Sequence, residues 1–299
     1  MSGFLFLLVI NWIMRKTTTA NNNTGIRWKM TTKLDELDFA DDIALLSSSK
    51  DHMQNKFNSL NNYATQTGLK INAGKTKVMR LNANNSQAIT INEKDVDDVE
   101  DSIYLGTTVS KTGGTNEDIR RRIGHARVAF NKLHKIWSSN QLNRKTMVKL
   151  FISNVITILL YSSEKWKMTK GDEKLLDTFQ HKCLRKILRI YWPMKISNEE
   201  VRKSAGVAKT SSLNKKRRWQ WIGHVLRMDA NSHPCIALSW TPEGKRKRGR
   251  LKETWRRTIE KERKEFGFES WTEAVRSAQD RSKWRGLVSS PILHKERRN

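Results

Sequence analysis

Cysteine is scarce in this chain: only Cys183 and Cys235 occur among 299 residues, far apart in sequence. Two such thiols make no disulfide framework and point to a reducing, intracellular compartment rather than secretion. Zinc-type spacing is missing as well. His181 with Cys183 and His233 with Cys235 form two short pairs, but neither has the intervals of a structural zinc site, so both cysteines read as ordinary buried thiols. Long apolar runs are absent too. The strongest, Phe4 to Ile10, falls far below the roughly 20 residues that a membrane span needs. No basic segment precedes it and no small-residue cleavage site follows it, so it is expected to open a buried helix continuing through Trp12 and Met14, with no membrane attachment.

Acid is what the later part of the chain lacks. Residues 1–110 carry 12 basic and 12 acidic side chains, whereas residues 111–299 carry 45 and 18, which accounts for the whole net charge of +27. The excess divides into +10 over 111–170, +4 over 171–210 and +13 over 211–299, which reads as separate segments. A chain so charged repels itself unless it meets a polyanion.

What is present begins with Phe39-Ala40-Asp41-Asp42, set between Leu37 and the apolar run Ile43 to Leu46 and expected at the tip of a hydrophobic hairpin. Adjacent carboxylates repel, so a cation is expected between them and a ligand. A divalent ion such as magnesium, which prefers oxygen donors and binds through one or two carboxylates plus substrate phosphates, suits the pair. A plain polar turn would more often use Asn-Gly or Asp-Gly.

Periodicity supplies the surrounding elements. Ser48 and Asp51 mark a helix start, with Met53, Phe57, Leu60 and Ala64 at helical spacing until Gly68. Short strands are expected at Leu69 to Ile71 and Lys77 to Leu81 around a turn at Asn72-Ala73-Gly74-Lys75, and Ile103 to Val109 reads as a further hairpin. Thr115 and Asp118 have capping-box spacing before an apolar stripe of Ile119, Ile123, Ala126, Phe130, Leu133 and Trp137. Further helices are expected at Lys145 to Tyr161 and Asp172 to Ile190. Arg120, Arg121, Arg127, Lys132 and Lys135 fill the other faces of the first of these helices.

Two dense clusters follow, Lys215-Lys216-Arg217-Arg218 and Lys245-Arg246-Lys247-Arg248-Gly249-Arg250, with Trp219, Trp221, Trp240, Trp255, Trp271 and Trp284 interspersed. Basic side chains suit phosphate contacts and an exposed indole suits base stacking. At helical spacing, however, a tryptophan is more often a core residue than a base platform. The run Lys245 to Arg250 also has the composition of a nuclear-localisation stretch.

Together these residues resemble a family. Phe39-Ala40-Asp41-Asp42 resembles the F/Y-x-D-D motif of reverse transcriptases, Gly68-Leu69-Lys70-Ile71-Asn72 with Lys75-Thr76-Lys77 resembles the next palm motif, and Tyr104-Leu105-Gly106 resembles the primer-grip hairpin. The specific likeness is to non-LTR (LINE-like) retrotransposon polymerases. Ser2 to Arg15 looks like the tail of the helix-forming motif before the aspartates, and Trp219-x-x-x-Gly223-His224-Val225 with the basic run at 244–250 looks like their C-terminal region.

The resemblance implies an α+β chain: a truncated right-hand polymerase palm over 1–110, a helical thumb over 111–170, and a basic, mostly helical nucleic-acid-binding extension over 171–299. Asp41 and Asp42 would ligate magnesium or manganese, Lys75 would stand near the leaving pyrophosphate, and Tyr104, Leu105 and Gly106 would position the primer end. Arg120, Arg121, Arg127 and Lys132, then Lys215, Lys216, Arg217 and Arg218, then Lys245, Arg246, Lys247, Arg248 and Arg250, would contact phosphates. The implied partners are an RNA template and a DNA primer or RNA–DNA hybrid, with deoxynucleotide triphosphates when the enzyme is complete; no obligate protein partner is implied. Localisation would be nuclear and cytoplasmic.

The departures set the expected limits. A two-metal polymerase site needs a further aspartate on an adjacent strand, and in this family that residue precedes the segment seen here. The fingers and the upstream endonuclease are likewise outside this sequence. The chain is therefore expected to act as a polymerase only with upstream sequence, the alternative being a non-catalytic nucleic-acid-binding remnant. The palm fragment is also expected to leave sheet edge and apolar surface open where the missing strands belong.

Overall fold

The computed structural model describes residues 2–21, 23–29, 32–81, 83, 87–111, 115–241 and 253–294. The chain divides into two compact units, residues 1–113 with 239–245, and residues 114–238 with 246–299. Helices are joined with small antiparallel strand pairs, in a mixed architecture dominated by helix. Among the described residues no helix is long and apolar enough to cross a membrane.

The first unit opens with helix α1 (Gly3–Ala20), which buries one stripe of Ile10, Ile13, Met14 and Thr17 and leaves Phe4, Leu5, Leu7, Leu8 and Trp12 exposed. Of the run Phe4 to Ile10, expected to open a buried helix, only Ile10 is buried, because the core under α1 is formed by its later turns. Strands β1 (Ile26–Arg27) and β2 (Lys33–Leu34) pair, followed by the hairpin of β3 (Glu36–Phe39) and β4 (Asp42–Leu45). Helix α2 (Lys50–Gln66) starts where the Ser49 hydroxyl accepts from the His52 N–H, and Gly68 at φ 76 carries the chain away from its end. Its Leu60 and Ala64 pack against Ile10, Ile13 and Met14 of α1, and Ile43 and Leu45 of β4 pack onto that core.

The two strands expected at 69–71 and 77–81 do not form a ladder. Asn72 closes a tight turn by accepting from the N–H groups of Lys75 and Thr76, and Val78 then makes an isolated parallel bridge to Asp98. Val78 bonds to Asp97 and Val99, so its backbone groups are satisfied by a later segment and not by residues 69–71. The intervening residues contain a hairpin, β5 (Thr90–Ile91) and β6 (Lys94–Asp95), turned by Asn92 and Glu93 at φ 48 and 65. Strands β7 (Asp101–Tyr104) and β8 (Thr107–Ser110) form the expected hairpin.

The second unit is helical. Helix α3 (Asn116–Lys132) and α4 (His134–Ser138) replace the single helix expected to Trp137. The break has a local cause: the Phe130 carbonyl accepts from the Trp137 indole at 2.7 Å and from the Leu133 N–H, which diverts it from the α-helical ladder. The capping box expected at Thr115 and Asp118 is not made either. Thr115 donates to the Lys167 carbonyl, and Asp118 is buried, accepting from the Trp166 indole at 2.8 Å.

Helix α5 (Arg144–Phe151) runs through a π-helical turn at Ile152–Ile156 into α6 (Thr157–Leu159). After a 3-10 turn at Ser163–Lys165 come α7 (Lys170–Leu188), opened by a Thr169–Asp172 capping box, and α8 (Asn198–Ala205), opened by a Ser197–Glu200 box. Ile119, Phe130, Phe151, Leu176, Phe179, Cys183, Ile187 and Val201 share one core across α3, α5, α7 and α8.

A second core gathers around α9 (Thr210–Val225). After α10 (His233–Ser239), the helices α11 (Trp255–Glu265), α12 (Trp271–Gln279) and α13 (Arg281–His294) bring Ile259, Phe268, Ala274, Ala278, Trp284 and Val288 to Trp219 and Ile222. Gly223 is required here: a Cβ at that position would lie inside the Trp284 indole, whose N–H donates to the Trp219 carbonyl at 2.9 Å.

Candidate active-site hairpin and nucleic-acid interface

The β3–β4 hairpin turns in two residues, with Phe39 paired to Asp42 and Asp38 to Ile43. Cross-strand partners share a face, so Glu36, Asp38, Ile43 and Leu45 lie on one side, and Leu37, Phe39, Asp42 and Ala44 on the other. The first side seats Ile43 and Leu45 on the α1–α2 core. The second side is open, with Leu37 and Phe39 exposed beside Asp42. At the tip Ala40 takes φ 56, in the left-handed region that a two-residue hairpin turn demands and a Cβ resists. Asp41 occupies the other loop position, and both aspartates are exposed.

The base of this hairpin is clamped from α2. The fully buried Lys56 ammonium lies 2.6 Å from Asp35 Oδ1 and donates to the Leu46 carbonyl at 2.6 Å, tying together the residues just before β3 and just after β4. The Leu46 N–H donates to the Asp35 carbonyl at 2.8 Å, closing the same ring. Sequence periodicity carried a signal for this residue, because Lys56 lies on the Met53, Phe57, Leu60 stripe where a solvated lysine does not belong. Next to the clamp, burial together with the neighbouring Asp38 pushes the Glu36 carboxyl up to about 7.

A second hairpin tip reaches the first. Tyr104 pairs with Thr107 across a loop of Leu105 and Gly106, both at positive φ (48 and 71), as a type I′ turn requires. The Tyr104 hydroxyl donates to the Leu37 carbonyl at 3.1 Å and approaches the Asp42 carbonyl at 3.5 Å. Burial, then the Asp42 and Asp38 charges, raise its pKa above the ordinary phenol value. The residues suggested for metal binding and for the primer end are thus adjacent. Lys75 lies exposed on the Asn72 turn, and among the described residues it makes no ion pair with either aspartate.

Asp41 and Asp42 supply oxygen donors of the kind that magnesium takes. Among the described residues no group of three or more His, Cys, Asp or Glu side chains gathers to hold a metal ion, so the aspartate pair is a partial donor set. Cys183 is buried, which pushes its thiol up to about 12, as expected of an inert core cysteine.

The basic residues divide by use. Arg120, Arg127 and Lys132 are exposed on α3, while Arg121 donates to the buried Asp118 at 3.2 Å. Arg218 departs from the expected phosphate contact: its side chain is wholly buried, pairs with Glu262, and donates to the Glu164 and Trp166 carbonyls. Arg217 pairs with Glu164 and Lys215 with Glu265, so three members of the first cluster join α9 to α11 and to the 3-10 turn; Lys216 is half-buried. Lys245, Arg246, Lys247, Arg248 and Arg250 lie outside the described residues.

The six tryptophans weighed as base platforms serve mainly as structure. Trp219 and Trp284 are core, Trp271 packs parallel to Trp219, Trp255 donates to the Glu164 carbonyl, and Trp240 packs on Trp28 and donates to the Arg27 carbonyl in the first unit. Trp221 is the partly exposed member, edge-on to Trp255. Among the described residues the most exposed indole is elsewhere, at Trp192 between α7 and α8.

The aspartate-tipped hairpin is thus seated on two helices and met by a second hairpin. Residues 1–109 match the family model described as reverse transcriptase (RNA-dependent DNA polymerase), which contains every part of that arrangement. The chain is also similar to a transposon-derived protein of Caenorhabditis elegans, 28% identical over 266 residues that cover 85% of this chain and 95% of the relative. Residues 129–161 match a family described only as a domain of unknown function.

Proposed function

We propose that this chain is part of a retrotransposon RNA-directed DNA polymerase of the non-LTR type, catalytic in nucleotidyl transfer when further palm sequence completes its site. The observation that carries this reading is the pair Asp41–Asp42 on a strained hairpin tip, beside Tyr104, with the Leu37, Phe39 and Asp42 face left open. Backbone strain concentrates at functional sites, and a further strand bearing another carboxylate would pair along an edge of the two-stranded β3–β4 sheet. Asp41 would bind a divalent cation and Asp42 would support it; such an ion neutralises charge developing on the transferring phosphoryl group. Tyr104, Leu105 and Gly106 would set the primer end against that group, and Lys75 would face the leaving pyrophosphate. Residues 1–110 would serve as palm, 111–170 as thumb and 171–299 as the nucleic-acid-binding extension.

Primer extension on an RNA template tests this with an upstream-extended chain. Asp41→Ala is expected to lower the rate at least ~100-fold, and activity that survives the substitution overturns the assignment. The partial donor set favours a second reading, a non-catalytic nucleic-acid-binding remnant. That reading expects salt-sensitive binding with no extension in magnesium or manganese, even with the upstream sequence restored.

A further inference from the structure

We infer that the loop between α7 and α8 is a base-stacking site for single-stranded nucleic acid, with Trp192 as the platform and the lysines of α7 as phosphate contacts. Trp192 is 92% exposed, flanked by Tyr191 at 58% and Met194 at 57%. In the same unit Trp137, Trp166 and Trp219 are buried with their N–H groups bonded, and Trp221, at 37% exposed, packs edge-on to Trp255. An indole left in water contributes nothing to this fold, so its use lies in what it meets.

The loop that presents it is anchored at both ends. The Arg185 guanidinium donates to the Ile196 carbonyl at 2.6 Å and to Asn198 Oδ1 at 3.0 Å, and Arg189, at φ 57, donates to the Ser138 and Ser139 carbonyls. The Met194 N–H returns to the Tyr191 carbonyl at 2.9 Å. A platform held this way loses little freedom when a ligand stacks on it.

Charge selects the ligand. Lys174, Lys182 and Lys186 lie along one face of α7 and, with Arg127 of α3, line a depression of about 440 Å³ that has no Asp or Glu in its wall. From Lys174 to Lys186 the row runs ~18 Å along the helix, toward the end where the tryptophan loop begins. A line of cations leading to an exposed aromatic is the combination that tracks a phosphate backbone and stacks an unpaired base. Paired bases in a duplex offer no free face, so the ligand is a single strand or an unpaired end. None of these residues belongs to the aspartate hairpin, and the inference does not depend on polymerase chemistry.

Fluorescence anisotropy of the full chain with a labelled single-stranded oligothymidylate, and with the same length of abasic strand, tests it. Trp192→Ala is expected to weaken oligothymidylate binding ~10-fold, with Trp192→Phe within ~3-fold of the parent. The abasic strand should bind parent and Trp192→Ala equally. Lys182→Ala should lower the salt slope by about 1. Equal oligothymidylate binding by parent and Trp192→Ala overturns the proposal, as does an equal loss on the abasic strand. So does a Trp192→Ala defect confined to phosphatidylserine vesicles, which would make the loop a lipid anchor. Thermal unfolding of each variant confirms that the comparison is between folded chains.

Discussion

Lys56 shows how much one side chain contributes to a site it never touches. Its ammonium is removed from water, and the Asp35 carboxylate with the Asp35 and Leu46 carbonyls replaces the lost hydration. Breaking such a buried pair leaves a charge without its partner, which costs more than the pair itself contributes. Lys56→Met is therefore expected to destabilise the first unit by roughly 3 kcal/mol, and Lys56→Met combined with Asp35→Leu should recover much of the loss. Urea unfolding of the two variants checks this; an unchanged midpoint for the single substitution would show that the hairpin base is held by other contacts. The same residue-scale logic separates Arg218, spent on Glu262 and two carbonyls, from Arg120 and Arg127, which remain available to a ligand.

At the level of elements, α9 meets α13 at a glycine because an indole occupies the space a side chain would need. Gly223→Ala forces the Trp284 ring or the helix away and disturbs its bond to the Trp219 carbonyl, so a loss of about 2 kcal/mol or more is expected, the cost of overpacking a filled core. Tryptophan emission followed through thermal unfolding reads it directly, and a variant as stable as the parent would contradict the packing. Much of this level was legible beforehand. The helices at 50–66 and 170–188 and the hairpins at 36–45 and 101–110 follow from alternation, helical spacing and capping residues, all of which act over a few positions. The strands expected at 69–71 and 77–81 do not pair because the segment at 97–99 satisfies the backbone groups of Val78. Helix α3 ended early because Trp137 reached back for the Phe130 carbonyl.

For the whole molecule the governing quantity is charge placement. Every net positive charge lies after residue 110, while the unit with the aspartate hairpin is nearly balanced. Nucleic acid bound by six or more of these cations should lose ~1,000-fold or more in affinity between about 50 and 200 mM salt as counterions are released. Anisotropy titration of the full chain over that range is the measurement, and a flat response would show that the basic excess is solvated surface. The first unit exposes Phe4, Leu8, Leu37, Phe39, Ile103 and Val109, an unusual amount of large apolar side chain for one small unit. Its hairpins are two-stranded and so carry little stability of their own.

Sequence by itself determined the hairpin that lifts Asp41 and Asp42, the turn at Leu105-Gly106, the amphipathic helices and the polarity of charge along the chain. Each of these depends on neighbours within one or two turns or on simple summation. Only the tertiary structure decided that Tyr104 lies against the hairpin, that Lys56 clamps its base, that Arg218 is interior, and that Trp192 faces water while Trp219 and Trp284 are core. Exposure and partnership depend on which distant segments pack together, and a residue's type gives only its capacity for either. A tryptophan has the same surface to bury at either position, and the fold determines which one buries it.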